Sequence, residues 1–292
     1  MQLILKRCHS HAPKCQPAYI AAAVRTPMGH NLAPLTAAHW MPLLMEMALK
    51  QAALPRETLE LLHLNTKVAA DINVPLLSES ISSIKYYKNL QLQLQAAISA
   101  EQQFQCFLNA ASNIVNNDTA AILVGSSMQQ QKNCEIMLPS TQLDAFPSDI
   151  VPLSIRKNRS LQKFDCDDFT QHCTDGAGML LLLNSTTLEK YNIQPLAKMS
   201  DFHSCRSLAD FAAYVEVQPK GCFSWQSNNP EFLKQNFQLT TDNSNFFHWL
   251  STWNINSALA HLLHHLKPAQ PAAVAIVSSD QSSISCCIVE KM

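Results

Sequence analysis

Two stretches of this 292-residue chain follow one plan, and the repeat limits the folds open to it. The first stretch predicts a helix over 100–115, the turn Asn116-Asn117-Asp118, and an apolar strand over 119–125 that ends in Ser126-Ser127. A further apolar strand is predicted over 179–183. The second stretch predicts a helix over 256–266, the connection Lys267-Pro268-Ala269-Gln270-Pro271, and a strand over 272–277 that ends in Ser278-Ser279. Another strand follows over 284–289. Self-similarity of this kind points to two similarly built halves packed together. The run over 119–125 is apolar on both faces, which suits a central strand covered by helices on each side. The fold class is therefore α/β.

Apolar spacing and turn residues place further elements. A buried strand is predicted over 19–24, closed by Arg25-Thr26-Pro27. A helix over 34–53 carries Met41, Leu43, Leu44, Met47, Ala48 and Ala52 on or near one face. A strand is predicted over 61–68 and a helix over 78–87. Residues 90–95 alternate Leu and Gln, which gives a strand with one apolar and one polar face. The halves divide near Tyr191, so residues 17–190 form the first and 191–292 the second, which opens with a strand over 192–198. Residues 1–16 read as a loose leader, and 218–245 as polar loops around a short helix over 230–235.

Composition narrows the function classes. Hydrophobic residues make up 47% of the chain, enough for a full core, while charged residues make up 15% and the net charge is -1. No basic face is available to attract a polyanion, so nucleic-acid binding is not expected. No apolar run reaches the roughly 18 residues of a membrane span, and the start is too short in its apolar part for a secretory signal. A cytoplasmic protein is expected. None of the ten cysteines forms a Cys-x-x-Cys pair, so zinc is not expected and most thiols act as small buried hydrophobes. His261, His264 and His265 share one predicted helix, where a surface or helix–sheet packing role outweighs metal binding.

Only five glycines are present, and three of them lie in Arg25-Thr26-Pro27-Met28-Gly29 and Asp175-Gly176-Ala177-Gly178. An average chain of this size would carry roughly 7% glycine. Glycine is needed where a substrate lies against bare backbone, and most such positions are gone.

These phrases resemble the thiolase family. Tyr19 to Gly29 is similar to its first strand and turn, and Gly125-Ser126-Ser127-Met128 to the phrase closing its nucleophile-bearing segment. Phe146-Pro147-Ser148-Asp149-Ile150-Val151-Pro152-Leu153 and Asp175-Gly176-Ala177 resemble two more of its phrases, and Glu189-Lys190 with Pro195-Leu196-Ala197 resembles the entry to its second half. The resemblance runs along nearly the whole chain and implies a thiolase-like five-layer αβαβα sandwich of two similar halves, in agreement with the repeat.

Thiolases move an acyl group between coenzyme A and a carbon nucleophile. The resemblance implies a nucleophilic cysteine opening the helix over 100–115, where the dipole lowers a thiol pKa. It also implies a histidine base, a second acid/base cysteine and backbone donors for the developing oxyanion. Counting back from Gly125 places the nucleophile at Ala100, and counting forward from Leu90 places it at Gln103. Neither is cysteine, and the nearest thiol is Cys106, one to two turns deeper. The Gly-His-Pro phrase is replaced by Phe247-His248-Trp249, leaving His248 near the expected base. The second cysteine's phrase has become Ser278-Ser279-Asp280-Gln281-Ser282-Ser283, and Cys286 and Cys287 fall within the next strand. The loop region between Met128 and Phe146, which in the family covers coenzyme A, is shortened. Arg156, Lys157 and Arg159 could hold phosphate, although a short basic run is more often a solvated surface.

The leading expectation is a thiolase-like protein of acyl-CoA or fatty-acid metabolism that lacks standard catalysis and acts as a non-catalytic partner subunit. It would pair with a second copy or with an active acyl-CoA enzyme, through the sheet edge carrying residues 90–97. One alternative is an acyl-CoA C-acyltransferase using Cys106 and His248 in rearranged positions. The other is a non-catalytic acyl-ligand binder. Coenzyme A is the ligand or substrate to test, and no other cofactor is expected.

Overall fold

A computed structural model of the chain describes residues 17–25, 37–66, 90–96, 100–116, 118–128, 176–205, 207–216, 224–227, 229–237, 255–278 and 280–292. The strands are β1 (Ala18–Arg25), β2 (Leu61–Thr66), β3 (Gln91–Ala96), β4 (Ala121–Met128), β5 (Gly176–Leu183), β6 (Ala197–Cys205), β7 (Ser224–Ser227), β8 (Pro271–Val277) and β9 (Ile284–Lys291). The helices are α1 (Ala37–Ala52), α2 (Ala100–Val115), α3 (Ser185–Tyr191), α4 (Leu208–Glu216), α5 (Pro230–Phe237) and α6 (Ile255–His265).

The strands lie in the order β3-β2-β4-β5-β1-β6-β9-β8-β7. Read outward from the β1–β6 junction, both sides repeat one pattern. β5 runs antiparallel to both β1 and β4, and β2 is parallel to β4. On the other side β9 runs antiparallel to both β6 and β8, and β7 is parallel to β8. The repeat read in the sequence is thus α2–β4–β5 against α6–β8–β9.

The layers follow from burial. Leu180 to Leu183, Ile122 to Val124 and Ala272 to Ile276 are buried without alternation, because both faces of each sheet are covered. α1 covers one face of the first sheet through Met41, Leu44, Met45 and Ala48. α2 and α6 form the middle layer: both touch the first sheet, and α2 also reaches β8 and β9. Along β8, Ala272, Val274 and Ile276 face this middle core, whereas Ala273, Ala275 and Val277 face a second core with Phe211 of α4 and Leu233 of α5. The result is five layers, αβαβα. Sandwiched between two sheets, α2 buries Gln103, Phe104, Cys106, Phe107, Leu108, Ala110, Ala111 and Ile114 and leaves only a narrow exposed strip at Gln102, Gln105 and Asn109.

The two sheets stay hydrogen-bonded only briefly. β1 pairs with β6 over Ala18, Ile20 and the residue between them, then the strands part. Beyond the split, the exposed peptide edge of β1 is capped by side chains. The Ala23 N–H donates to Gln51 Oε1 of α1 at 3.1 Å, and the Ala23 carbonyl accepts from His264 Nε2 of α6 at 2.9 Å. Of the two roles expected for that histidine cluster, His264 has the helix–sheet one.

Four expectations need correction. A strand was expected over 192–198, but α3 ends at Asn192 in the left-handed region (φ 52), and β6 begins only at Ala197. α3 was not anticipated. Its start is fixed by Asn184, whose side chain accepts from the Thr187 N–H at 2.8 Å. α4 was not anticipated either. Within the polar stretch 218–245, Ser224–Ser227 forms β7 because parallel pairing with β8 satisfies its backbone, although its composition carries no apolar signal. The leader, the helix over 78–87, the phrase 146–153 and the shortened loop lie outside the described residues.

Candidate functional site

Of the nine buried polar or charged residues described, Arg25, Gln103, Ser126, Asn256 and Ser257 gather at one place. Gly178 of β5 is its centre. Gly178 sits opposite Arg25 on β1 and opposite Ser126 on β4, and residues directly opposite share a face. That face looks into the middle layer, because a Cβ on Gly178 would lie 2.3 Å from the Ser257 backbone nitrogen and 2.6 Å from its Oγ. The first turn of α6 thus rests on bare β5 backbone. What occupies the space above Gly178 is the chain's own helix.

The first turns of α2 and α6 meet here. Gln103, 4% exposed, accepts a hydrogen bond from the Ile255 N–H through Oε1 at 3.1 Å. A helix's first N–H groups lack intrahelical partners, so the carboxamide satisfies a donor that a bound oxyanion could otherwise use. Asn256 Nδ2 donates to the Val124 carbonyl of β4 at 3.0 Å. Asn256 Oδ1 is buried with no hydrogen-bond partner among the described residues. Arg25 is 1% exposed, and burial pushes its guanidinium down to about 9, so it keeps its charge at neutral pH.

The sequence-predicted residues fall as follows. Ala100 opens α2. Gln103 is the buried cap of α6. Cys106, 5% exposed, lies one turn deeper, where the dipole's influence has faded. His248 lies outside the described residues, as do Arg156, Lys157 and Arg159. Cys286 and Cys287 are fully buried in β9, as expected of strand thiols. Sequence reasoning missed the roles of Asn256 and Ser257. The signal available for them was a glycine inside a strand, which marks close backbone approach.

No family model matches the sequence, and no curated protein matches it. Solved structures do. The Acat5 thiolase of Ascaris suum, determined with coenzyme A, superposes with a TM-score of 0.71 at 14% identity, over 95% of this chain and 100% of that one. The human mitochondrial 3-ketoacyl-CoA thiolase, also with coenzyme A, gives 0.68 at 12% identity over 97% and 100%. The peroxisomal 3-ketoacyl-CoA thiolase of Saccharomyces cerevisiae, described as a five-layered structure of two core domains of identical topology, gives 0.67 at 11% identity over 96% and 99%. This chain has the thiolase fold.

Within that fold, the segment standing where the resemblance implies the second cysteine is a closed polar turn after β8. Ser278 Oγ donates to Asp280 Oδ1 at 2.6 Å and accepts from the Ser282 and Ser283 N–H groups. Ser282 Oγ donates to both Asp280 oxygens at 2.7 and 2.8 Å, and Gln281 adopts φ 58. The turn thus satisfies its own polar groups. The hydroxyls of Ser278 and Ser282 hold the Asp280 carboxyl down at about 2, against an ordinary 3.8. A depressed carboxyl stabilises the fold above its unfolded pKa, and that contribution is lost as pH falls through the folded value. Asp280→Asn is therefore expected to flatten the acid limb of the denaturation profile between about pH 4 and pH 2. Urea midpoints measured across that range check it, and an unchanged slope would refute it.

Gln103→Ala leaves the Ile255 N–H buried and unpaired. The expected loss is about 1–3 kcal/mol, read from urea unfolding with an unchanged m-value. A variant as stable as the parent would show that the cap does not hold α6.

Proposed function

We propose that this chain is a thiolase-fold protein of acyl-CoA or fatty-acid metabolism that lacks standard thiolase catalysis and serves as a non-catalytic partner subunit. The observation that carries the reading is Gln103: the side chain in one of the two expected nucleophile positions is spent on capping α6. Catalytic groups that act as a unit lose several orders of magnitude in rate when one is removed, and here the expected thiol positions hold Ala100 or Gln103. Residues 17–190 and 191–292 act as the two halves. The partner is a second copy or an active acyl-CoA enzyme. It docks on the β3 edge, which pairs only with β2 among the described residues and presents Gln91 and Gln93 to solvent. The setting is cytoplasmic; no helix among the described residues is long and apolar enough to cross a membrane. Coenzyme A, which two of the structural neighbours hold, is the ligand to test first.

The test has two parts. Acetoacetyl-CoA plus coenzyme A is expected to give no turnover with the purified chain. Native mass spectrometry of material from its own cell is expected to show a second polypeptide bound, either another copy of this chain or a different protein. Steady turnover abolished by Cys106→Ser would replace the proposal with a rearranged acyltransferase using Cys106 and His248. A bound lipid without a second polypeptide would replace it with an acyl-ligand binder.

A further inference from the structure

Away from the polar cluster, two thiols share the outer face of the second sheet. Cys205 ends β6 and stands opposite Ile284 of β9, while Cys286 stands opposite His203. The two cysteines are therefore diagonal neighbours on adjacent antiparallel strands. Both belong to the outer core beneath Phe211, with Tyr214 of α4 packed over it and stacked on His203 at 5.5 Å. Both are free and buried, at 2% and 0% exposure. Their sulfurs share a hydrogen bond. It pulls the Cys205 thiol below its ordinary value, against burial, Asp210 and Asp201, and it pushes Cys286 up. Of the two, Cys205 is the readier to lose its proton.

We propose that Cys205 and Cys286 form a redox-active dithiol, oxidised to a disulfide by a peroxide and reopened by a thiol reductant. The Cys205 sulfur attacks one peroxide oxygen. The O–O bond breaks, one water leaves, and Cys205 becomes a sulfenic acid. The Cys286 sulfur then attacks the Cys205 sulfur, the S–O bond breaks, and a second water leaves as the S–S bond forms. The two thiols lose two electrons and two protons in all, and hydrogen peroxide takes them up as two waters.

The strand geometry sets the character of the bond. Diagonal partners on an antiparallel pair have Cα atoms about 7–8 Å apart, whereas a disulfide accepts up to about 6.8 Å. Closing it draws β6 and β9 together locally by about 1 Å. Cys205 is the last residue of its strand, and the pairing already carries an irregularity between Met199 and Asp201, so the shift has somewhere to go. A bond closed under strain is the readily reduced kind.

The inference does not depend on the proposed function. In its test, the full chain is treated with hydrogen peroxide, alkylated, and mapped by peptide mass spectrometry before and after dithiothreitol. The expected result is one linked peptide pair joining Cys205 to Cys286, with the loss of two hydrogens and full reversal by reductant. In Cys286→Ser the link is expected to vanish, and Cys205 is expected to be trapped by dimedone as a sulfenic acid. Cys286→Ala gives the same readout should serine impair folding. Oxidation elsewhere with Cys205 and Cys286 untouched, or linkage of either to a different cysteine, would overturn the proposal. So would equal dimedone labelling of Cys205 in the parent and in Cys286→Ser, because the resolving thiol would then have no role.

Discussion

Gly178→Ala is expected to be among the most damaging single substitutions in the described structure. The added Cβ would lie 2.3 Å from the Ser257 nitrogen and 2.7 Å from the Asn256 carbonyl carbon, and both are backbone atoms of α6. A flexible side chain could swing aside, but a helix terminus held by Gln103 and Asn256 cannot move alone. Its displacement would strain the Ile255 and Val124 hydrogen bonds together. The expected loss is about 3 kcal/mol or more, at the upper end of the cost of overpacking. For a chain of marginal stability that is a large share of the total. Thermal and urea unfolding measure it. An unchanged midpoint would mean that α6 does not rest on β5.

Phe104→Ala is expected to cost about 3–5 kcal/mol. Phe104 is fully buried in α2, stacked near Phe107 with ring centroids 6.0 Å apart, within the layer that both sheets cover. The cavity would open in the middle layer, where neighbours on two sides are fixed in sheets and collapse little. Leu43 on α1, 46% exposed, is the matching control, and its truncation is expected to stay within about 0.5 kcal/mol. Equal losses at the two positions would contradict a central placement of α2.

Much of the fold was legible because burial leaves a local trace. β4, β5, β8 and β9 are covered on both faces along most of their length, so their sequences are dominated by apolar runs that need no partner to be seen. α2 and α6 precede β4 and β8 with short connections, so the repeat could be read in order along the chain. β7 was not legible: Ser-Trp-Gln-Ser has no apolar run, and only the neighbouring β8 makes it a strand. β6 was displaced by several residues because Asn192 extends the preceding turn, a left-handed residue that periodicity does not report.

The candidate site divides in the same way. Counting from Gly125 and from Leu90 led to Ala100 and Gln103, and that neither is cysteine was evident from the letters alone. What Gln103 does was not evident, since its partner Ile255 is 152 residues away. Likewise Gly178 announced a close approach without naming what approaches, and Cys205 and Cys286 gave no sign of being neighbours.

The amino-acid order alone determined that repeated helices and apolar strands would build an α/β fold, and that Ala100 and Gln103 rather than cysteine stand in the first turn of α2. Those conclusions rest on periodicity and residue type, which are local. The three-dimensional packing decided which buried polar groups meet, because a hydrogen bond between distant residues exists only after two helices have been set against one sheet.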